Sequence, residues 1–337
     1  MYRAFYQFDQ DPFRLSPDHH FCYRHPSFAK GRAYMQYALN SAEGFVVVTG
    51  SPGMGKTTLI KDLLADSCAA QYRVANLVNT LLGADDILRA TAYEFGLQVA
   101  DLDKATIIER LKQLFVSSRR NGRAPLLVVD EAQNLSLETI EELRLLTNLQ
   151  CDGKPLLQIF LLGQDQLRDK LQDPRLEQLL QRVTAATHLQ PLTVEQTAAY
   201  MVHRLTRAGW RQQPKIAHAA IPIIHAVSQG VPRRINQFCS RLLLFGAVEE
   251  KQTLEREDAR IVYRELANET LTKAMPDLLE YAAQGYIGSG DQSATERPKP
   301  ARQTTVAARQ RPHSRVKRSQ RSAREPAIEP TNRVDPG

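Results

Sequence analysis

Two groups of residues have the types and spacing to act on a phosphoanhydride. The first is Gly50, Ser51, Pro52, Gly53, Met54, Gly55, Lys56 and Thr57, which fits the pattern GxxxxGK[ST]. Its glycines let the backbone curl so that N–H groups point at phosphate oxygens. Lys56 brings positive charge toward the β and γ phosphates, and the Thr57 hydroxyl can ligate Mg²⁺. With Thr58 at the start of the next helix, these residues are the candidate nucleotide contacts. The second group is Asp130 and Glu131, which follow the apolar run Pro125-Leu-Leu-Val-Val. Asp130 suits Mg²⁺, bound directly or through water, and Glu131 suits orienting and deprotonating an attacking water. A Gly-rich turn and an acidic strand end are each common alone. Together they supply both halves of a phosphoryl-transfer site and imply ATP and Mg²⁺ as cofactors.

Other polar side chains fall where they could assist. Gln164 closes the run LLQIFLLG and would stand beside Glu131 if the two strands were neighbours, helping to position the water. Asn148, in LRLLTNLQ, is a further candidate or simply a helix cap. Arg182, in LEQLLQRVTAATHL, precedes an expected edge strand. It reads as an arginine finger that reaches the γ-phosphate of a neighbouring subunit, with a solvated helix arginine as the alternative. In GVPRRIN, Gly230 and Pro232 end one helix and start the next. An arginine at that N-terminus opposes the helix dipole unless an anion faces it, so Arg233 reads as a nucleotide sensor ahead of Arg234. The cysteines at 22, 68, 151 and 239 form no CxxC pair, which indicates neither a zinc nor a redox motif.

These groups need a scaffold that delivers strand ends to one edge. Four apolar runs of strand length, 45–49, 74–79, 125–130 and 156–163, alternate with helical patterns over 57–69, 84–95 and 104–119. Apolar residues at nearly every position mark strands covered on both faces, and the alternation predicts an α/β fold with a parallel sheet over residues 1–192. From Thr193 the strands stop. Four amphipathic helical segments over 193–270, the first with Thr193 as N-cap and Gly209 as stop, predict a small all-helical second module. A short helical extension is expected over 271–284, and 285–337, poor in large apolar residues, is expected to be a disordered basic tail. The net charge of +7 is concentrated there: ten Lys or Arg and no Asp or Glu lie between Arg297 and Arg324. A composition 42% hydrophobic and 24% charged excludes fibrous and wholly disordered classes. No stretch approaches the ~20 apolar residues that span a bilayer, and the N-terminus lacks a signal pattern, so a cytoplasmic protein is expected.

The phosphate loop, DEAQNL, GQ, the arginine before the last strand and GVPRRIN in a helical lid resemble the AAA+ P-loop NTPases. Over residues 1 to about 268, the phrases DPFRLSPD, EGFVVVTG, LRLLTNL, FLLGQDQLRDKL, ATHLQPL and NQFCSRLLLFGA are similar to the ExeA, or general secretion pathway protein A, group. Leu77-Val-Asn-Thr80, Ala84-Asp-Asp-Ile-Leu-Arg and LLLFGAVEE are most similar to the secretion ATPase that accompanies exosortase (PEP-CTERM) and exopolysaccharide systems. The resemblance implies assembly into a homo-oligomeric ring or dimer with ATP at subunit interfaces. It also implies a role in envelope export. Relatives often continue through a transmembrane helix into a peptidoglycan-binding domain, and this sequence reads as having neither. Where they tend to read NLET, this chain has Asn148-Leu149-Gln150-Cys151, so no glutamate role carries over.

The leading expectation is an ATP-hydrolysing motor or switch serving envelope secretion, exopolysaccharide or protein-sorting machinery, in the cytoplasm or peripheral at the inner membrane. The alternative is a DNA-binding ATPase of transposition, similar to TniB or TnsC. The basic tail serves either: it could neutralise DNA phosphates, or bind anionic lipid at about 1 kcal/mol per basic residue near the surface. It could equally be a solvated tail with no partner.

Overall fold

The computed structural model describes residues 1–16, 18–66 and 69–269. The expected extension 271–284 and tail 285–337 lie outside the described residues.

Five parallel strands form the central sheet: β1 (Gly44–Thr49), β2 (Tyr72–Leu77), β3 (Ala124–Val129), β4 (Gln158–Gly163) and β5 (Val183–His188), in the order β2-β3-β4-β1-β5. The three inner strands are buried almost end to end, which explains why their sequences are continuously apolar rather than alternating. Side-chain alternation along each strand sorts those residues onto two faces. Phe45, Val47, Leu127, Val129, Ile159 and Leu161 pack with α3 (Ala84–Glu94), α4 (Lys104–Arg120), α5 (Leu137–Leu146) and α6 (Asp165–Leu171). Val46, Val48, Leu126, Val128, Phe160 and Leu162 face α1 (Pro26–Ser41) and α2 (Lys56–Asp66). This is the expected parallel α/β architecture. The outer strands differ from the inner ones. The run expected as a strand over 74–79 is shifted: β2 ends at Leu77, and Val78 is exposed, because β2 is an edge strand with its pairing only to β3.

The helical module comprises α7 (Val194–Arg207), α8 (Ile221–Ser228), α9 (Pro232–Val248) and α10 (Arg256–Glu269). Thr193 caps α7 with a full capping box, its hydroxyl taking the Gln196 N–H while the Gln196 side chain takes the Thr193 N–H. The core of this module has an unexpected contributor. Tyr6, Phe8, Phe13 and Phe21, from the start of the chain, are buried among Tyr200, Leu205, Ile235, Phe238 and Leu242. Arg204 on α7 secures the segment by donating to the Pro12 and Arg14 carbonyls at 2.6 and 3.0 Å.

Candidate functional site

All the chemistry-bearing strand ends emerge on the carboxyl edge of the sheet, where parallel α/β folds bind ligands. The phosphate loop leaves β1 and enters α2 at Lys56. Gly53 takes φ +83°, and a Cβ there would lie 2.7 Å from Cβ of Arg233, so the loop and the start of α9 can pack only because this residue is glycine. Lys56 is buried. Its ammonium donates to the Gly50 and Ser51 carbonyls at 2.8 and 3.3 Å, folding back over its own loop. Burial pushes its pKa below the ordinary lysine value, opposed by the negative charges of Glu131, Asp130 and Asp165.

The end of β3 faces this loop. The Thr57 hydroxyl donates to Asp130 Oδ2 at 2.9 Å, joining the two expected Mg²⁺ ligands, and the Glu131 N–H donates to Asp130 Oδ1 at 2.9 Å. Glu131 sits in the left-handed region at φ +50°, a conformation a non-glycine residue adopts at a cost of about 1–3 kcal/mol. It is held there from several sides. Thr80, just beyond β2, donates its hydroxyl to the Glu131 carbonyl at 3.1 Å. Gln133 Nε2 and Gln164 Nε2 both donate to Glu131 Oε2, at 2.6 and 3.1 Å. The Gln133 hydrogen bond, followed by that from Gln164 and the charge of Lys56, holds the carboxyl below its ordinary pKa against the opposing effect of burial.

Gln164 therefore stands beside Glu131, because β3 and β4 are neighbours. Arg233 lines the same cleft: it is exposed at the first turn of α9, and its N–H reaches the Gly53 carbonyl at 3.3 Å. Arg234 turns away and donates to Gln229 Oε1 at 2.6 Å. Arg182 is elsewhere. It immediately precedes β5, at the amino edge of the sheet, where its carbonyl accepts the Phe45 N–H and its guanidinium donates to the Thr147 hydroxyl at 2.8 Å. Asn148 is exposed in the turn next to Thr147, at that same edge, and does not approach Glu131.

The cleft encloses about 250 Å³. Its lining includes the phosphate loop with Asp130 and Glu131. It also includes Phe21, Tyr23, His25 and Phe28 from the N-terminal segment and α1, and Tyr200 and Asn236 from the helical module. Sequence reasoning did not assign this second group. The sequence signals there were the phrase DPFRLSPD and the density of aromatic residues before residue 30. Gln133 and Thr80 also went unassigned, although both stood within quoted phrases, DEAQNL and LVNT.

The oxygen donors Thr57 and Asp130, adjacent to a phosphate-binding loop, fit Mg²⁺, which is held by one or two protein oxygens together with phosphates and waters. A family model for an AAA domain matches residues 39–171. Over 245 residues, 72% of this chain, the sequence is 36% identical to general secretion pathway protein A of Aeromonas hydrophila, of which it covers 44%. The chain thus carries an AAA domain over residues 39–171 and is similar to the ExeA group over most of its length. It is also 31% identical over 122 residues to the ATP-dependent target DNA activator B of Escherichia phage D108, covering 34% of this chain and 35% of that one. The chain thus spans less than half the length of these relatives. Among solved structures, the fold is similar to Cdc6p of Pyrobaculum aerophilum, with a TM-score of 0.60 at 16% identity over 76% of this chain and 71% of that one. That likeness shows the fold alone. No described helix is long and apolar enough to cross a membrane.

Proposed function

We propose that this chain hydrolyses ATP in the cleft and uses the turnover to drive a conformational motor or switch. The reading rests on one juxtaposition: Lys56, Thr57, Asp130 and Glu131 meet in a cleft that the helical module also lines. In this reading the loop from Gly50 to Gly55 and Lys56 bind the phosphates, with Thr58 continuing the contact into α2. Thr57 and Asp130 would hold Mg²⁺, which supplies charge neutralisation on the phosphates when bound. Glu131 takes the proton of the attacking water, Gln164 fixes its carboxylate, and Arg233 senses the nucleotide from the helical module. Arg182 completes the site of a second copy. Residues 1–192 would then be the ATPase module and 193–270 its lid.

The test separates binding from turnover. Lys56→Ala should abolish ATP binding, because Lys56 acts on the phosphates in the ground state. Glu131→Gln should bind ATP and stop hydrolysis, because Glu131 acts on the water. Equal loss of nucleotide affinity in both variants would contradict the assignment.

Similarity to general secretion pathway protein A supports service to envelope secretion at the inner membrane. The exosortase-like phrases narrow the reading to exopolysaccharide or protein-sorting machinery. A second reading, a DNA-binding ATPase of transposition, is favoured by the shorter match to the phage target DNA activator. ATPase stimulated by anionic liposomes supports the first reading; stimulation by duplex DNA supports the second.

A further inference from the structure

Glu131 belongs to a closed ring of side-chain and main-chain hydrogen bonds whose third member has been given no role. Gln133 Nε2 donates to Glu131 Oε2 at 2.6 Å, and Gln133 Oε1 accepts the Gln164 N–H at 3.0 Å. Gln164 Nε2 closes the ring on the same Glu131 oxygen at 3.1 Å. A single amide thus steers a carboxylate with its nitrogen and anchors the start of α6 with its oxygen. An amide can do both, whereas a carboxylate cannot donate and an ammonium cannot accept.

Gln133 is itself immobilised. Lys170 on α6 donates to the Gln133 carbonyl at 2.6 Å and to the Leu135 carbonyl at 2.5 Å, clamping the short turn that follows Glu131. A Cβ on Gly163 would lie 3.1 Å from Gln133 Oε1, so β4 passes close beside the amide. Glu131 lines the cleft, whereas neither Gln133 nor Gln164 does, so Gln133 acts only through its neighbours. Both amide donors fall on Oε2, and among the described residues no side-chain amide occupies Oε1.

We infer that Gln133 is a positioning residue for hydrolysis: its amide fixes the Glu131 carboxylate and Gln164 in one arrangement, with Oε1 of Glu131 presented to the attacking water. The inference rests on the ATPase reading above. A misplacement of a reacting group by about 1 Å costs on the order of 10²-fold in rate, so loss of the ring should appear in kcat. Substrate affinity depends on the phosphate loop and should not change.

The experiment compares the full chain with Gln133→Leu, which keeps bulk without hydrogen bonds, and Gln133→Glu, which keeps the acceptor for Gln164 but sets a carboxylate against Glu131. ATP affinity is measured with a fluorescent ATP analogue, kcat and KM by phosphate release, and folding by thermal melting. Both variants should retain ATP affinity and KM within about twofold and lose about 10²-fold in kcat. In a Glu131→Gln background, Gln133→Leu should leave the residual single-turnover rate unchanged, because the group it positions is already disabled. Near-wild-type kcat in Gln133→Glu, parallel losses of affinity and kcat, or an equal loss in the Glu131→Gln background would overturn the inference while leaving the ATPase reading intact. A wild-type chain that binds ATP and never hydrolyses it would overturn both.

Discussion

Replacing Arg182 by alanine tests whether the site is complete within one chain. β1 runs six residues from Gly44 to Thr49, between the edge that carries Arg182 and the edge that carries the phosphate loop. At about 3.3 Å per residue the two edges are about 20 Å apart, beyond the reach of any side chain. Arg182 can therefore act on a phosphate only in another copy of the chain. Removing it should cost the fold little. The guanidinium gives up one hydrogen bond to Thr147, whose buried hydroxyl still donates to the Arg144 carbonyl at 2.7 Å, so the loss is about 1 kcal/mol. An arginine finger, by contrast, contributes 10³-fold or more in turnover, about 4 kcal/mol of transition-state stabilisation. Arg182→Ala should melt near the wild type, bind ATP normally and hydrolyse it at least about 10³-fold more slowly. The decisive assay mixes it with Lys56→Ala. One variant has a sound phosphate site and the other a sound arginine, so mixed assemblies should regain part of the activity although each alone is inactive. Wild-type specific activity independent of protein concentration, together with no recovery in the mixture, would refute the trans role.

Three further outcomes follow from the geometry. Gly53→Ala, at φ +83° with its Cβ 2.7 Å from Cβ of Arg233, should weaken ATP binding at least about tenfold with unchanged circular dichroism; an unaffected dissociation constant would show that loop and helix can separate freely. Phe160→Ala, in the middle of β4 with no exposed surface, should destabilise by about 3–5 kcal/mol in denaturant melts, and a loss under about 1 kcal/mol would contradict the packing described. His25, His203 and His225 are each held below the ordinary imidazole pKa, chiefly by burial, with Arg207 and Arg204 adding to the effect on His203. The unfolded chain therefore binds more protons below about pH 6.5, so stability is full above that value and is lost on acidification through the lower folded values. The melting temperature should fall as the pH drops below about 6.5, and His203→Gln should flatten that slope; a rise on acidification contradicts it.

The inner strands and the phosphate loop were legible because each depends on local signals. Burial on both faces writes a continuous apolar run for β1, β3 and β4, and a phosphate loop needs its glycines at fixed spacing. Arg233 stood out through a local conflict, a cation at a helix N-terminus, and the fold places it on the lining of the cleft. The β2 boundary was not legible, since an edge strand lacks that double burial and its apolar run carries on into the exposed Val78. Gln133 was invisible for another reason. Its role depends on the left-handed turn at Glu131 and on β4 lying alongside, neither of which is encoded in the phrase DEAQ itself.

The largest omission, the N-terminal segment, shows how a cleft can be built from residues with no periodicity. Tyr6, Phe8, Phe13 and Phe21 lie in mostly irregular chain, and their buried partners stand roughly 180 residues or more further on, so no window contains both sides of the contact. The segment is attached at both ends. Arg24 and Arg32 pair with Asp62 on α2 at 2.9 and 2.8 Å, and the Asp62 side chain is only 6% exposed. Arg204 and Asn236, on α7 and α9, hold the Pro12 and Arg14 carbonyls. One attachment is therefore to the helix that begins at Lys56, and the other is to the module that carries Arg233. Between them the chain lines the cleft with Phe21, Tyr23 and His25. A displacement of the helical module relative to α2 must either drag this segment along or break the contacts at one of its ends. The N-terminal segment thus ties the helical module to α2 through contacts at both of its ends.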